Sequence, residues 1–519
     1  MNHRFSFQLL LICCCFIFSN VACAADAEIA WESMWEKYQI SKSKIDNASE
    51  TLEIAKGLLK ISSSDDLRIN SHSMQMLEIS EFLKANKELK LALEITQRAL
   101  LIFEKNLGQE SPYVARSLHI LAEIYDDLWQ SDTALPLRIR VVDITEKSLG
   151  AKDIRTALML NNLAKTYNKL SRYERAIQLQ LRAIEISELD SEKNSLETAT
   201  FLKDIGENYY ELGNYEIAHS FFSRALEIRQ NKLGIEHIET AKIHSNIAAI
   251  HFAKGNYSDA LSLNLFALAV IEKNLGTNSL EAIDIKSNIA STYAALGLVE
   301  KALVIQETVY LNIEKEKGIN HPAVAISLAK LAELHSELGD FDLALSLKLR
   351  SVDILENSLG TQHHLTGLVL NDTANTYNLL ADYEKSLLLF NRSLEIAKLR
   401  LGNSHPDVAT IIGNISLAYY YLGQYETSLM LGKQSLDMLR LFYRPDHPEI
   451  ARNLNNLALI YFRIGNFTEA QKLQEQAVKI YEDNFTSNNV YFAAGIAALA
   501  NIYRVSGQYE KSLQLSLIA

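Results

Sequence analysis

Five histidines stand in one phase of the chain: His237, His321, His363, His405 and His447, separated by 42 residues or twice that. Imidazole is the commonest metal ligand and a proton shuttle near neutral pH. A metal site needs several donors within about 2 Å of one ion. Residues placed one to each copy of a repeated unit stand about a helix-pair thickness apart. We read them, and the adjacent pair His363-His364, as residues of helix-entry loops. Acid pairs such as Asp126-Asp127 fall on helix faces. No Walker loop, G-x-G-x-x-G, G-x-S-x-G or H-E-x-x-H string occurs. The four cysteines, Cys13, Cys14, Cys15 and Cys23, all lie in the first 23 residues. Loss of that segment leaves no thiol nucleophile, thiolate ligand or disulfide. The expectation is no catalytic group, no cofactor and no metal.

The chemistry that remains is hydrogen bonding. Asparagines recur at Asn162, Asn246, Asn288, Asn414 and Asn456, with Asp204 and Asp372 in the same phase. Asparagine is unfavourable inside a helix because its side chain competes for the backbone. Its recurrence there needs a reason. A carboxamide is both donor and acceptor, so a ladder of them can pair with the backbone of an extended peptide. Equally, such a column can cap or bridge neighbouring helices, or be inherited by duplication of the repeat.

The elements that position these residues follow from internal periodicity. A small-residue column runs Ala92, Ala134, Ala176, Ala218, Ala260, Ala302, Ala344, Ser386, Ser428, Ala470, Ser512, every step being 42 residues. The same step carries a tyrosine column from Tyr125 to Tyr503, with His251 and His335 in its gaps. It also carries one glycine column from Gly213 to Gly507 and a second from Gly108 to Gly402. Residues 447 to 486 show the physical meaning. Pro448 suits a first helical turn, where its missing N–H has no partner in any case. Leu454, Leu457, Ala458 and Tyr461 then stripe one helix, Gly465 caps it, and Ala470, Leu473, Ala477 and Ile480 stripe a second. Small residues at the contact let the two axes approach closely. Each pair exposes an apolar face that only a neighbouring pair covers, so the pairs must stack.

The spacing Leu457-Ala458-x-x-Tyr461, Gly465-x-Phe467-x-x-Ala470 and Ala477 resembles the tetratricopeptide motif. The 42-residue step resembles the variant of kinesin light chains and many bacterial proteins, as in HPDVATIIGNISLAYYYLGQYETSL (405 to 429) and HPEIARNLNNLALIYFRIGNFTEAQKL (447 to 473). The resemblance implies an all-α, right-handed superhelical solenoid. It further implies that the stripe Arg452, Asn455, Asn456, Leu459, Phe462 and Arg463 lines a concave groove, with the asparagine column holding a peptide. Tyr210, Phe252, Tyr420 and Phe462 share a column on that stripe; they either form pockets for partner side chains or pack against the adjacent repeat. The pattern has departures. Unit starts near 153, 195 and 279 lack His-Pro, and Glu192 and Arg444 replace the second glycine, so irregular helix ends are expected there.

Residues 1–24 read as a signal peptide: Arg4, an apolar run from Leu9 to Phe18, and Ala22-Cys23-Ala24 before cleavage at Ala24-Ala25. The run is too short to span a bilayer. Export to a bacterial periplasm or beyond is expected, with acylation at Cys23 disfavoured because Asn20 stands where leucine belongs. Asparagine sequons at Asn371 and Asn414 inside predicted helices fit a bacterial host better than a glycosylating one. Residues 25–71, with Trp31, Trp35 and Tyr38 on one helix and Leu52, Ala55, Leu58 and Leu59 on another, are read as a divergent capping pair. Residues 72–519 are read as about eleven repeats, the last incomplete. Hydrophobic content is 48% and charged content 22%, which fits an ordinary globular chain. The net charge of −12 becomes −13 without Arg4 and argues against nucleic acid or an anionic membrane as ligand. The expected function is an exported scaffold for a peptide or protein. The alternative is a regulatory array of an enzyme, since such arrays resemble the front half of proteins ending in a caspase-like CHAT peptidase domain. A motor-cargo adaptor is disfavoured by the signal segment and by the lack of a long heptad coil. Leu513, Leu515, Leu517 and Ile518 form an uncovered apolar end; continuation of the chain or homodimerisation through that end is expected.

Overall fold

The structure, a computed structural model, describes residues 29–42, 48–62, 70–189, 195–485 and 489–517. The signal segment, its Ala24-Ala25 cleavage point, Glu192 and Ile518 lie outside the described residues. All regular elements among the described residues are α-helices, and from residue 70 onward they pack as successive pairs. The chain forms two compact units, residues 1–193 and 194–519; the division falls inside the stretch read as one array.

The first unit comprises α1 (29–42), α2 (Ala48–Ser62), α3 (Asn70–Ala85), α4 (Leu89–Leu107), α5 (Pro112–Asp127), α6 (Ser131–Leu149), α7 (Ile154–Lys169) and α8 (Tyr173–Leu189). Its core uses bulky side chains: Trp31, Tyr38, Leu58, Met76 and Phe103 are all fully buried.

The second unit begins with α9 (Leu196–Glu211), α10 (Tyr215–Leu233), α11 (Ile238–Ala253), α12 (Tyr257–Leu275), α13 (Leu280–Ala295), α14 (Val299–Lys317), α15 (Pro322–Glu337) and α16 (Phe341–Leu359). It continues with α17 (His364–Leu379), α18 (Tyr383–Leu401), α19 (Pro406–Tyr421), α20 (Tyr425–Leu439), α21 (Pro448–Ile464), α22 (Phe467–Asn484), α23 (Val490–Val505) and α24 (Tyr509–Ser516). Ala218, Ala260, Ala302, Ala344 and Ala470 are fully buried at the contacts within pairs. Where serine takes that place the hydroxyl finds a carbonyl, Ser428 Oγ donating to Ser416 O at 2.7 Å. Tyr509 and Leu513 on α24 and Leu517 just after it are exposed.

The histidines prove to be N-caps. In His237, His321, His363, His405 and His447 the ring Nδ1 accepts the amide of the residue two further on, at 3.1 or 3.2 Å. The starts that lack histidine keep the same function with other acceptors. Ser111, Asp153, Ser195, Ser279 and Asn489 occupy the same column and cap with hydroxyl, carboxylate or carboxamide, the residue types that commonly satisfy a helix's orphan N–H groups. The second glycine column exits its helices at positive φ with extended ψ, for example 89° and 164° at Gly234, a region open to glycine almost alone. Arg444 has no such freedom. There α20 stops after 15 residues instead of the 19 of α18, and the chain leaves through turns at Leu441 to Tyr443.

Candidate functional site

Within the second unit the stack of pairs turns back on itself. The α9–α10 turn meets the start of α21, where the His447 ring is buried against the backbone at Leu212. A methyl group at Gly213 would overlap that ring, and Gly213 has φ +68°. Glycine is therefore required there for both backbone and space. Tyr443, carried close by the early end of α20, stacks on His447 with ring centroids 3.9 Å apart and planes 7° apart. Burial, with the nearby Arg444 charge, holds the His447 pKa down at about 4. The ring is neutral near pH 7, leaving Nδ1 to accept the Glu449 amide.

This return leaves an open-mouthed cavity of about 670 Å³, lined from α10 to α15 on one side and from α21 to α23 on the other. Tyr215, Phe252, Tyr257, Tyr481, Phe485 and Tyr491 bring aromatic rings to it. Its charged groups are Lys330, Glu333, Glu337, Glu449 and Arg452. Arg452 pairs with Glu449, and Lys330 Nζ donates to Ser287 Oγ at 2.8 Å. Glu333 and Glu337 lie one turn apart on α15 and have no ion pair or hydrogen bond among the described residues. Both carboxyls reach water in the cavity, yet the protein surrounding them strips enough hydration to raise their pKa values. For Glu333, Asp372 raises it further, while Lys348 and Lys330 oppose the rise.

A second cavity of about 340 Å³ shares Arg452, Tyr481 and Tyr491 with the first. Its remaining wall is rich in carboxamides: Asn375, Asn414, Asn453, Asn455 and Asn456. The asparagine column divides here. Asn246 donates to Glu207 Oε1 at 3.0 Å, Asn288 to Ser245 Oγ at 3.5 Å and Asn414 to Asn371 Oδ1 at 3.0 Å, each bridging to the preceding first helix. Asn456 has no side-chain bond among the described residues and faces the second cavity. Asn455 accepts from Gln474 at 2.8 Å. Asn162 lies half-buried in the other compact unit. Phe462 lines neither cavity and packs edge-on to Phe467 at 5.5 Å. Its column mates pack within their own repeats with tilted rings, Tyr210 on Tyr215, Phe252 on Tyr257 and Tyr420 on Tyr425; Phe252 also reaches the larger cavity.

One set of residues escapes the sequence reading. The second helices carry Arg138, Gln180, Phe222, Asn264, Gln306, Lys348, Phe390, Gly432 and Gln474 in one column, and all of them are buried. The polar members tie the two helices of a pair or the next pair together. Asn264 accepts from Ser245 at 2.8 Å, Gln306 accepts from Ser287 at 3.2 Å, and Lys348 donates to Thr376 at 2.9 Å and to the Asp372 carbonyl at 3.1 Å. Where the column carries Phe222 the facing helix carries Gly206, and where it carries Gly432 the space is filled by Leu457. The signal was present in the sequence as polar residues at a core-facing phase, which must find partners when buried.

No group of three or more His, Cys, Asp and Glu able to hold a metal occurs among the described residues. No described helix is long and apolar enough to cross a membrane. Residues 121–189, 155–231, 197–273, 281–357, 330–399 and 400–483 match the tetratricopeptide repeat family, and the chain belongs to it. Several solved structures are similar to the chain at low identity. A kinesin light chain of Podosopora anserina with nearly identical TPR-like repeats is 19% identical, covering 40% of this chain and 97% of its own, with a TM-score of 0.33. BtubC (BKLC) from P. vanneervenii is 18% identical over 45% of this chain and 91% of its own, with a TM-score of 0.35. A Rap protein complexed with Competence and Sporulation Factor is 15% identical over 72% of this chain and 99% of its own, with a TM-score of 0.50. No curated protein sequence matches the chain significantly.

Proposed function

We propose that the chain is a non-catalytic scaffold that holds an extended peptide along the inner face of its second unit. The observation that carries this reading is the pair of neighbouring cavities, about 670 and 340 Å³, whose walls share Arg452, Tyr481 and Tyr491. Apolar walls with a few convergent polar groups are the usual make-up of a binding site. The Rap protein of similar fold was solved complexed with Competence and Sporulation Factor, which supports a ligand held by this architecture. Asn456 supplies a free carboxamide for a peptide backbone, while Asn246, Asn288 and Asn414 hold the helices that shape the groove. The test is selection of random dodecapeptides on the full chain, followed by titration of the recovered peptides. Peptides should be recovered, and Tyr491→Ala should weaken them. Failure to recover any peptide, or affinities unmoved by changes in either cavity, would overturn the reading.

The site of action we propose is outside the cytoplasm, after removal of residues 1–24. The Leu9 to Phe18 apolar run and the small residues before Ala25 support it. The intact mass of protein purified from its native host should correspond to a start at Ala25. Retention of Met1, or a lipid mass on Cys23, would overturn it.

A further inference from the structure

The larger cavity pairs aromatic walls with two carboxylates that make no ion pair or hydrogen bond among the described residues. Arg452 is engaged by Glu449 and Lys330 by Ser287; Glu333 feels Lys330 and Lys348 only at longer range, and neither it nor Glu337 makes an ion pair or hydrogen bond among the described residues. Each candidate occupant can be weighed against that arrangement. A purely apolar side chain would remove water from two carboxylates and return nothing, a cost that normally drives pairing or protonation. An acidic side chain would add a third like charge. A metal ion would lack donors, since no group of three suitable ligands occurs among the described residues. A cationic side chain satisfies both features at once. Its alkyl stem covers aromatic surface, the ring faces attract the charge, and the carboxylates accept its N–H groups in charge-assisted bonds. The chain's net charge of −12 would also steer a basic peptide toward it.

Resting on the groove reading above, we propose that the larger cavity is a specificity pocket for a basic side chain of the bound peptide. A lysine or arginine stem lies among Tyr215, Phe252 and Tyr257, and its cation is received by Glu333 and Glu337. The smaller, carboxamide-lined cavity holds backbone and leaves sequence unread.

The experiment uses the full chain and the random dodecapeptide selection. Recovered peptides should be enriched in lysine or arginine. The tightest is then labelled and titrated by fluorescence polarisation, alongside a version with its lysine replaced by norleucine or its arginine by citrulline. Both forms are titrated against wild type and against Glu333→Gln/Glu337→Gln. Hydrogen bonds to charged groups are worth enough that either change alone should weaken binding about tenfold. Made together, they should weaken it little further, because both remove one interaction. Recovered peptides that need Tyr491 but carry no basic residue would overturn this proposal and leave the groove reading standing. So would unchanged affinity in the double variant, or losses that simply add. Recovery of no peptide would overturn both. The peptide-side substitution needs no altered protein, so misfolding of the variant would not rescue the idea.

Discussion

The two cavities share Arg452, Tyr481 and Tyr491 but are built in opposite ways. The smaller is lined by α17, α19 and α21 to α23, helices of consecutive repeats. Its carboxamides recur because the repeat recurs. The larger draws on α10 to α15 and on α21 to α23, and exists because the array curves until His447 meets the Leu212–Gly213 turn. One is a property of neighbouring repeats and the other of the superhelix. The physical lesson is a division of labour. Carboxamides offer donors and acceptors that any peptide backbone matches, so they give adhesion without choice. An aromatic wall with unpaired carboxylates discriminates strongly, because a wrong side chain leaves buried charge unanswered.

The largest expected effect breaks one cavity and spares the other. Gly213→Ala forces a side chain into positive φ and into the His447 ring, and should destabilise the second unit by about 2–4 kcal/mol. A urea midpoint measures this. Binding through Glu333 and Glu337 should fall, while peptides that use only the carboxamide cavity keep their affinity. Equal loss for both kinds of peptide would mean the cavities are not independent. Next comes Tyr491→Ala at the shared wall. Tyr491 is 55% exposed, so stability should move by less than about 0.5 kcal/mol. Binding of either kind of peptide should weaken by about 1–3 kcal/mol, read by calorimetry. An effect on one kind alone would place Tyr491 in a single cavity.

A smaller effect separates two members of the asparagine column. Asn414→Ala removes the bond to Asn371 and should cost about 0.5–1.5 kcal/mol, less the few tenths regained from alanine's helix propensity. Asn456→Ala removes no internal side-chain bond, so it should leave the urea midpoint unchanged or slightly raised and weaken peptide binding instead. The reverse pattern would exchange their roles.

The smallest effect is in pH. Glu333 and Glu337 have folded-state pKa values above the ordinary carboxyl range, so the native state holds protons more tightly than the unfolded chain. Stability contributed by these groups is then present at low pH and lost as pH rises from about 4.3 through the raised values. The groups facing Glu333 are Asp372, Lys348, Lys330 and Glu337. Since Asp372 is raised too, Glu333→Gln/Glu337→Gln should reduce this slope without abolishing it. An unchanged stability–pH profile between pH 4 and 7 would contradict the assignment. Over the same range, affinity for a basic peptide should rise with pH as the carboxyls ionise.

Much of the local structure was legible because its causes are local. The small-residue column is buried where the pairing of helices requires it, and Gly465 does cap α21 in the left-handed conformation. The histidine column was legible as helix-entry residues. What was missed is that Ser195 and Asp153 continue it, although these are the residue types a helix N-terminus favours. The absence of glycine at 444 pointed to an irregular helix end, and α20 does stop early. Nothing in that substitution shows that Tyr443 would thereby stack on His447. The asparagine column was legible as a column, but spacing along one helix says nothing about whether Glu207 or Asn371 waits on the next.

The chain alone determined helix boundaries, caps, the pairing of helices and the repeat that stacks them, because each depends on hydrogen bonds and contacts within one unit or the next. Only the tertiary structure decided which carboxamides are consumed as bridges, which carboxylates are left unpaired, and that α10 and α21 share a cavity. Curvature accumulates a small rotation at every repeat. A contact between distant repeats depends on the sum of those rotations, and no single column in the sequence records it.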